Sequence, residues 1–293
     1  MKFGSTLREA VAARRTEQAV YAAAETRPPS HVKLGPLTIA MMERARWQGT
    51  SAFPSSQLFA DEIEKILNFA YWNGQFEHYL GHLSGTSSQR DSALAELRVA
   101  FFLCRNGFRI STWRPTGEGA REGEYSVRGP SAIDIFIEVK SPGWEFELKP
   151  REIARGRQRQ PKDLYCEARF VNPARALRFA IDKAYGKFAN NTPNLLVIAD
   201  DLFIGLGERP QEFAETPLYK AESDGYFATA KYERLGGVGI FSLRNSNTEV
   251  WYEMKLFLNP FAAACSLPAD VAQGFQGYAP RRAEAEKVVV IAG

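Results

Sequence analysis

Residues 131–142 read S-A-I-D-I-F-I-E-V-K-S-P. Aliphatic, largely β-branched positions alternating with polar ones specify a strand. Successive side chains on a strand point to opposite faces, so Glu138 and Lys140 share one face, roughly 6–7 Å apart along the backbone. Ile133, Ile135, Ile137 and Val139 take the other face, where they can seal against a core. A carboxylate beside an ammonium on a rigid strand suits metal-assisted attack on a phosphodiester. The carboxylate binds the cation, and the lysine meets the water or the phosphate charge.

Working outward, residues 122–127, a turn at Arg128-Gly129-Pro130 and residues 132–140 read as a hairpin. Before it, Ser88-Gln89-Arg90-Asp91 resembles a capping box. It opens a helix through Leu94, Leu97, Phe101 and Cys104 that stops at Asn106-Gly107, followed by a short strand at 108–113. Beyond the hairpin, residues 142–172 are polar, basic and irregular. Asn172-Pro173 starts a helix through Leu177, Ile181, Ala184 and Phe188, closed near Asn190-Asn191. Residues 195–199 form a buried type of strand ending in Asp200-Asp201, and 236–243 and 249–258 two more strands. Ahead of these lie an Ala-rich helix over 7–25 and a helical region over 57–83 with Ile63, Ile66, Leu67 and Ala70 on one face.

The order helix, strand, hairpin with E-x-K, helix, strand resembles the PD-(D/E)xK nuclease superfamily over residues 88–203, with a weaker echo in the 236–259 hairpin. The resemblance implies an α/β fold: a restriction-endonuclease-like αβββαβ core with a mixed central sheet and a C-terminal hairpin. It would occupy residues 86–262, with an N-terminal helical extension over 1–85 and a C-terminal tail over 263–293. It implies a metal-dependent nuclease that hydrolyses DNA phosphodiester bonds to leave a 5′-phosphate, in restriction, repair or defence.

By the same resemblance, Glu138 and Lys140 match the acid and lysine of E-x-K, and the Val139 carbonyl is a further metal ligand. The preceding acid is matched by Glu124 in G-E-Y-S-V, where the family usually has Asp, often after Pro. Asp134 competes for that role. It shares a strand face with Glu138 but lies four residues back, roughly 13 Å away, too far to share one cation unless the strand bends. Glu122 is a third candidate. Glu96 matches the family's helix acid. Its helix is otherwise apolar, so the carboxylate needs a metal, a water or Lys140 as partner, unless it is a surface residue paired with an arginine.

The implied cofactor is Mg²⁺ or Mn²⁺, which prefers oxygen ligands and would be held by Glu124, Glu138 and Val139. Lys140 would orient the nucleophile and stabilise developing charge. Lys149, Arg151, Arg155, Arg157, Arg159 and Lys162 follow the strand and could neutralise phosphates; the plainer alternative is a solvated loop. Lys183, one turn before Lys187, is the basic residue that the following helix could send to the site. The expected partner is nucleic acid, DNA ahead of RNA; no membrane is implied, and a homodimer is compatible. The rival class is an inactive nucleic-acid- or protein-binding module on the same fold, kept open by the non-Asp acid at Glu124.

Bulk properties agree with either. The 293 residues are 45% hydrophobic and 24% charged with a net charge of +3, which permits a polyanionic partner without demanding one. Cys104, Cys166 and Cys265 form no C-x-x-C pair, and the first residues carry no apolar leader, so a reducing cytoplasm is expected. No phosphate loop or nucleophile elbow occurs. His78 and His82 have a zinc-compatible spacing but no evident third ligand. A second E-x-K, Glu253-Met254-Lys255, lacks the following helix and strand and reads as an ordinary strand face. Trp144 could stack on a base, though a core role is more economical.

Overall fold

The computed structural model describes residues 32–44, 57–83, 87–141, 173–200, 210–220, 224–246, 248–274, 278–279 and 289–290. The expected helix over 7–25, the basic stretch from Lys149 to Lys162 and Trp144 lie outside them.

Three strands form a meander. β1 (Arg109–Trp113) pairs antiparallel with β2 (Tyr125–Arg128), which pairs antiparallel with β3 (Asp134–Lys140). β4 (Asn194–Asp200) then lies parallel to β3, and β5 (Gly237–Asn245) parallel to β4. A parallel neighbour needs a crossover, and the helix Pro173–Tyr185 lies within it. β6 (Val250–Leu258) returns antiparallel to β5, and the two-residue strands β7 (Tyr278–Ala279) and β8 (Val289–Val290) finish a mixed sheet in the order β1-β2-β3-β4-β5-β6-β7-β8.

The helices are α1 (Pro36–Arg44), α2 (Gln57–Trp72), α3 (Phe76–Leu83), α4 (Ser87–Arg105), α5 (Pro173–Tyr185), α6 (Pro210–Tyr219) and α7 (Ala269–Gly274). On one sheet face Val99, Ala100 and Leu103 of α4 pack on Tyr125, Ile135, Ile137 and Val139. On the other, Leu177, Ile181 and Ala184 of α5 pack with Phe136, Leu196, Ile198 and Ile240. Each such aliphatic burial contributes about 1.5–3 kcal/mol. β3 is therefore covered on both faces, as strands with parallel neighbours usually are.

The helices ahead of the sheet share its packing. Ile63, Ile66, Leu67, Leu80 and Leu83 close over Ala93, Leu94 and Leu97 of α4. Beneath them the buried Arg98 guanidinium donates to both Glu62 oxygens at 2.8 and 2.9 Å, and the Tyr252 hydroxyl donates to the same carboxylate. Removing one partner of such a buried pair typically costs about 3–5 kcal/mol.

Several sequence expectations need correction. The region 57–83 is two helices, broken where Gly74 adopts φ 67 and the Gln75 amide donates to Ala70 at 2.8 Å. That left-handed conformation suits glycine and ends a helix. Ile133 precedes β3 and is 46% exposed, so it is not part of the sealing face. The helix expected to run through Phe188 stops at Tyr185. Helices α1, α6 and α7 had no counterpart in the sequence reading; α6 contains Pro217. Among the described residues no helix is long and apolar enough to cross a membrane.

Candidate active site

The end of β3 that carries Glu138, Val139 and Lys140 gathers the charged groups. Glu138 is fully buried, on the α5 side of the strand. Its Oε1 accepts from the Lys140 ammonium and lies 2.7 Å from Nζ of Lys187, while its Oε2 is buried with no hydrogen-bond partner. Lys140 also donates to the Val139 carbonyl at 3.1 Å.

Glu124 follows from the hairpin register. Tyr125 lies opposite Ile137, and the Glu124 amide donates to the Ile137 carbonyl at 3.2 Å, which sets Glu124 across from Glu138. Glu124 Oε1 is 3.8 Å from Lys140 Nζ and 3.9 Å from Lys187 Nζ. Two carboxylates thus share two ammonium groups. Gly123 permits this approach, because a Cβ there would come within 2.2 Å of the Phe136 ring.

Lys187 replaces Lys183 as the basic residue from this region. Lys183 is exposed on α5, whereas Lys187 lies beyond the helix end in the following turn. The Glu118 amide donates to the Lys187 carbonyl at 3.0 Å, and a Cβ on Gly117 would fall 1.9 Å from that oxygen. The loop before β2 therefore grips the backbone that presents Lys187.

Glu96 approaches from α4. Burial pushes its carboxyl up to about 8, helped by the nearby Glu124 and Glu138 charges and opposed by Lys140 and by a hydrogen bond from Tyr79. Burial likewise pushes Glu124 up to about 7, with Glu138 and Glu122 adding to it and Lys140 and Lys187 opposing. Tyr79 is a buried residue of α3 whose own pKa is raised by burial and then by Glu96 and Glu124. Carboxyls titrating near neutrality in one cluster are a mark of functional sites.

Of the residues singled out from sequence, Glu96, Glu124, Glu138, Val139 and Lys140 come together here. Asp134 does not. It sits at the far end of β3, 44% exposed and in an ion pair with Arg128 at 2.6 Å. Residues 134–140 pair with β2 and β4 in unbroken register, so Asp134 and Glu138 stay at opposite ends of the strand. Glu122 is exposed, in an isolated bridge with Thr116, and reaches the cluster only through its charge. Arg151, Arg155, Arg157, Arg159 and Lys162 lie outside the described residues. Tyr79 and Lys187 were missed as site residues. The one-turn spacing of Lys183 and Lys187 was a signal for the second; nothing local to Tyr79 reveals it.

The donor set is all oxygen, which suits a hard divalent ion, and the unpartnered Glu138 Oε2 is a ready ligand atom. Among the described residues no group of three or more His, Cys, Asp or Glu could hold a metal ion. An ion here would take two carboxylates, Glu124 and Glu138, with the Val139 carbonyl.

No family model matches the chain, and no curated protein matches it. One similar solved structure is that of Pyrococcus furiosus SfsA in complex with Ca²⁺, at 16% identity and a TM-score of 0.24, covering 55% of this chain and 59% of that one. So slight a likeness carries no argument about activity.

Proposed function

We propose that the chain is a metal-dependent nuclease that hydrolyses DNA phosphodiester bonds from a restriction-endonuclease-like αβββαβ core and acts in the cytoplasm. One observation carries the reading: Glu124, Glu138 and Lys140 from the hairpin, Glu96 from α4 and Lys187 after α5 converge at one end of the sheet. The element order from α4 to β4 supports the fold assignment.

Glu124, Glu138 and the Val139 carbonyl are the groups that would hold Mg²⁺ or Mn²⁺. When bound, such an ion polarises the phosphate and lowers the pKa of its water. The chain's own residues supply the rest. Lys140 and Lys187 bring positive charge to a phosphate entering beside Glu138 and stabilise the negative charge that develops during attack. Glu96, titrating near 8, can hold a proton on its carboxyl at neutral pH and yield it to a leaving oxygen.

Purified protein incubated with linear and circular DNA, with Mg²⁺ or Mn²⁺ and with EDTA, tests this directly. Cleavage that needs the ion, stops with EDTA and is missing in Glu138→Ala is the expected result. Ion-independent cleavage, or cleavage retained in Lys140→Ala, overturns it.

A second reading is an inactive binding module on the same fold. Its support is that two ammonium groups stand on the Glu138 carboxylate and that the earlier acid is Glu124 rather than Asp. DNA affinity that persists in EDTA with no cleavage in any ion favours it.

A further inference from the structure

The α2–α3 corner stands at the rim of the cluster. Gly74 turns the chain there, and the Gln75 side chain accepts from Nη1 of Arg114 at 3.3 Å. The Arg114 amide in turn donates to the Glu124 carbonyl at 2.9 Å. The corner is thus two hydrogen bonds from the backbone of Glu124, a residue of the cluster. On it, Trp72 is 81% exposed and Tyr71 54%, the two rings meeting edge to face at 5.7 Å, with Phe76 bracing Tyr71 at 6.2 Å.

The buried stripe of α2, through Ile63, Ile66, Leu67 and Ala70, leaves both aromatics pointing away from the core. Single exposed apolar residues are commonplace. Two adjacent aromatics braced by a third, on a corner whose Gln75 holds a guanidinium, are a different case. Aromatic rings take up the faces of unpaired bases, and a neighbouring cation takes the phosphate.

We propose that the Tyr71–Trp72 corner, with Arg114, is a stacking platform for an unpaired nucleotide of the substrate strand. The inference rests on the nuclease reading and deepens it: the substrate class is nucleic acid with a single-stranded end or gap rather than continuous duplex. A paired base offers Trp72 no free face, since both are covered by its neighbours in the stack. Arg114 supplies the charge complementarity and ties the platform to the site. His78, on α3 three residues beyond Gln75, has its ring 4.8 Å from that of His82; burial, Arg114 and His82 lower its pKa against the opposing charge of Glu122, so the guanidinium is the main cation of the patch.

The test separates binding from chemistry. The full chain is titrated in EDTA against a fluorescein-labelled single-stranded 12-mer and a blunt 12-base-pair duplex of two strands, read by fluorescence anisotropy. The parent binds the single strand more tightly. Trp72→Ala weakens single-strand binding by about fivefold or more, the loss of one stacked base, and leaves duplex binding within about twofold. Trp72→Phe restores most of the loss. Arg114→Ala weakens both probes and lowers the salt slope by about 0.7 for the single strand, one phosphate contact. Unchanged single-strand affinity in a folded Trp72→Ala overturns the proposal, as does a parent with no preference for the single strand or with no binding to either probe. So does a Trp72-dependent dimer in sedimentation that leaves DNA affinity unaltered. Weakened binding without cleavage by the parent sinks the nuclease reading and keeps the platform; cleavage with unaltered affinity does the reverse.

Discussion

The chain contains E-x-K twice, and the two copies meet opposite fates. In β3, Glu138 is wholly buried, shares its carboxylate with Lys140 and Lys187, and faces a second acid across the hairpin. In β6, Glu253 is 47% exposed, pairs with Arg244 at 3.3 Å and accepts from the Trp251 indole at 3.1 Å, while Lys255 points to solvent. The tripeptide is the same type, but β3 is an interior strand with helices on both faces. A carboxylate there is removed from water and must find charged partners, whereas the β6 pair remains an ordinary surface contact.

The largest difference expected between the two copies is in cleavage. Lys140→Ala or Glu138→Ala should lower the rate of Mg²⁺-dependent DNA cleavage about a hundredfold or more, while Glu253→Ala and Lys255→Ala stay within about twofold. Equal losses at both copies would break the comparison. Lys187→Ala should fall between them, near a tenfold loss, since Lys140 keeps one ammonium on the carboxylate.

Tyr79→Phe sharpens the account of the buried copy. The ring packing survives and one hydrogen bond to Glu96 is lost, worth about 0.5–1.5 kcal/mol. Steady-state kinetics should show a severalfold drop in kcat with KM for DNA unchanged; a change confined to the melting temperature would make Tyr79 purely structural.

On stability rather than rate, the buried copy sets a dependence on pH that the exposed one lacks. Glu96 and Glu124 titrate near 8 and 7 in the fold, against about 4.3 in an unfolded chain. Between those values the folded state binds more protons, so stability falls as pH rises from about 4.3 to 8 and levels off above. Melting scans from pH 5 to 8 in EDTA should follow that decline, and Glu96→Gln should flatten it. Glu253→Gln should leave the profile unchanged.

Much of this was legible in the sequence. The hairpin and α4 follow from periodicity and punctuation: alternation from Ile133 to Lys140, and an apolar stripe closed at Gly107, whose φ of 86 fits a helix end. Glu124 could be ranked above Asp134 from strand spacing alone. Lys187 could not be chosen over Lys183, because helical spacing assumes a helix that ends two residues too soon. Tyr79 was out of reach for a different reason. Its bond to Glu96 depends on how α3 crosses α4, a matter of tertiary packing that no local pattern encodes.

The Glu62–Arg98–Tyr252 network and Tyr79 together carry an implication for dissecting this molecule. A fragment beginning at residue 86 would contain every described strand, yet it would lose the Glu62 carboxylate that Arg98 and Tyr252 bind and deprive Glu96 of its hydroxyl donor. The leading helices thus belong to the same packed body as the charged cluster, and a fragment trimmed of them would lose contacts that the cluster uses.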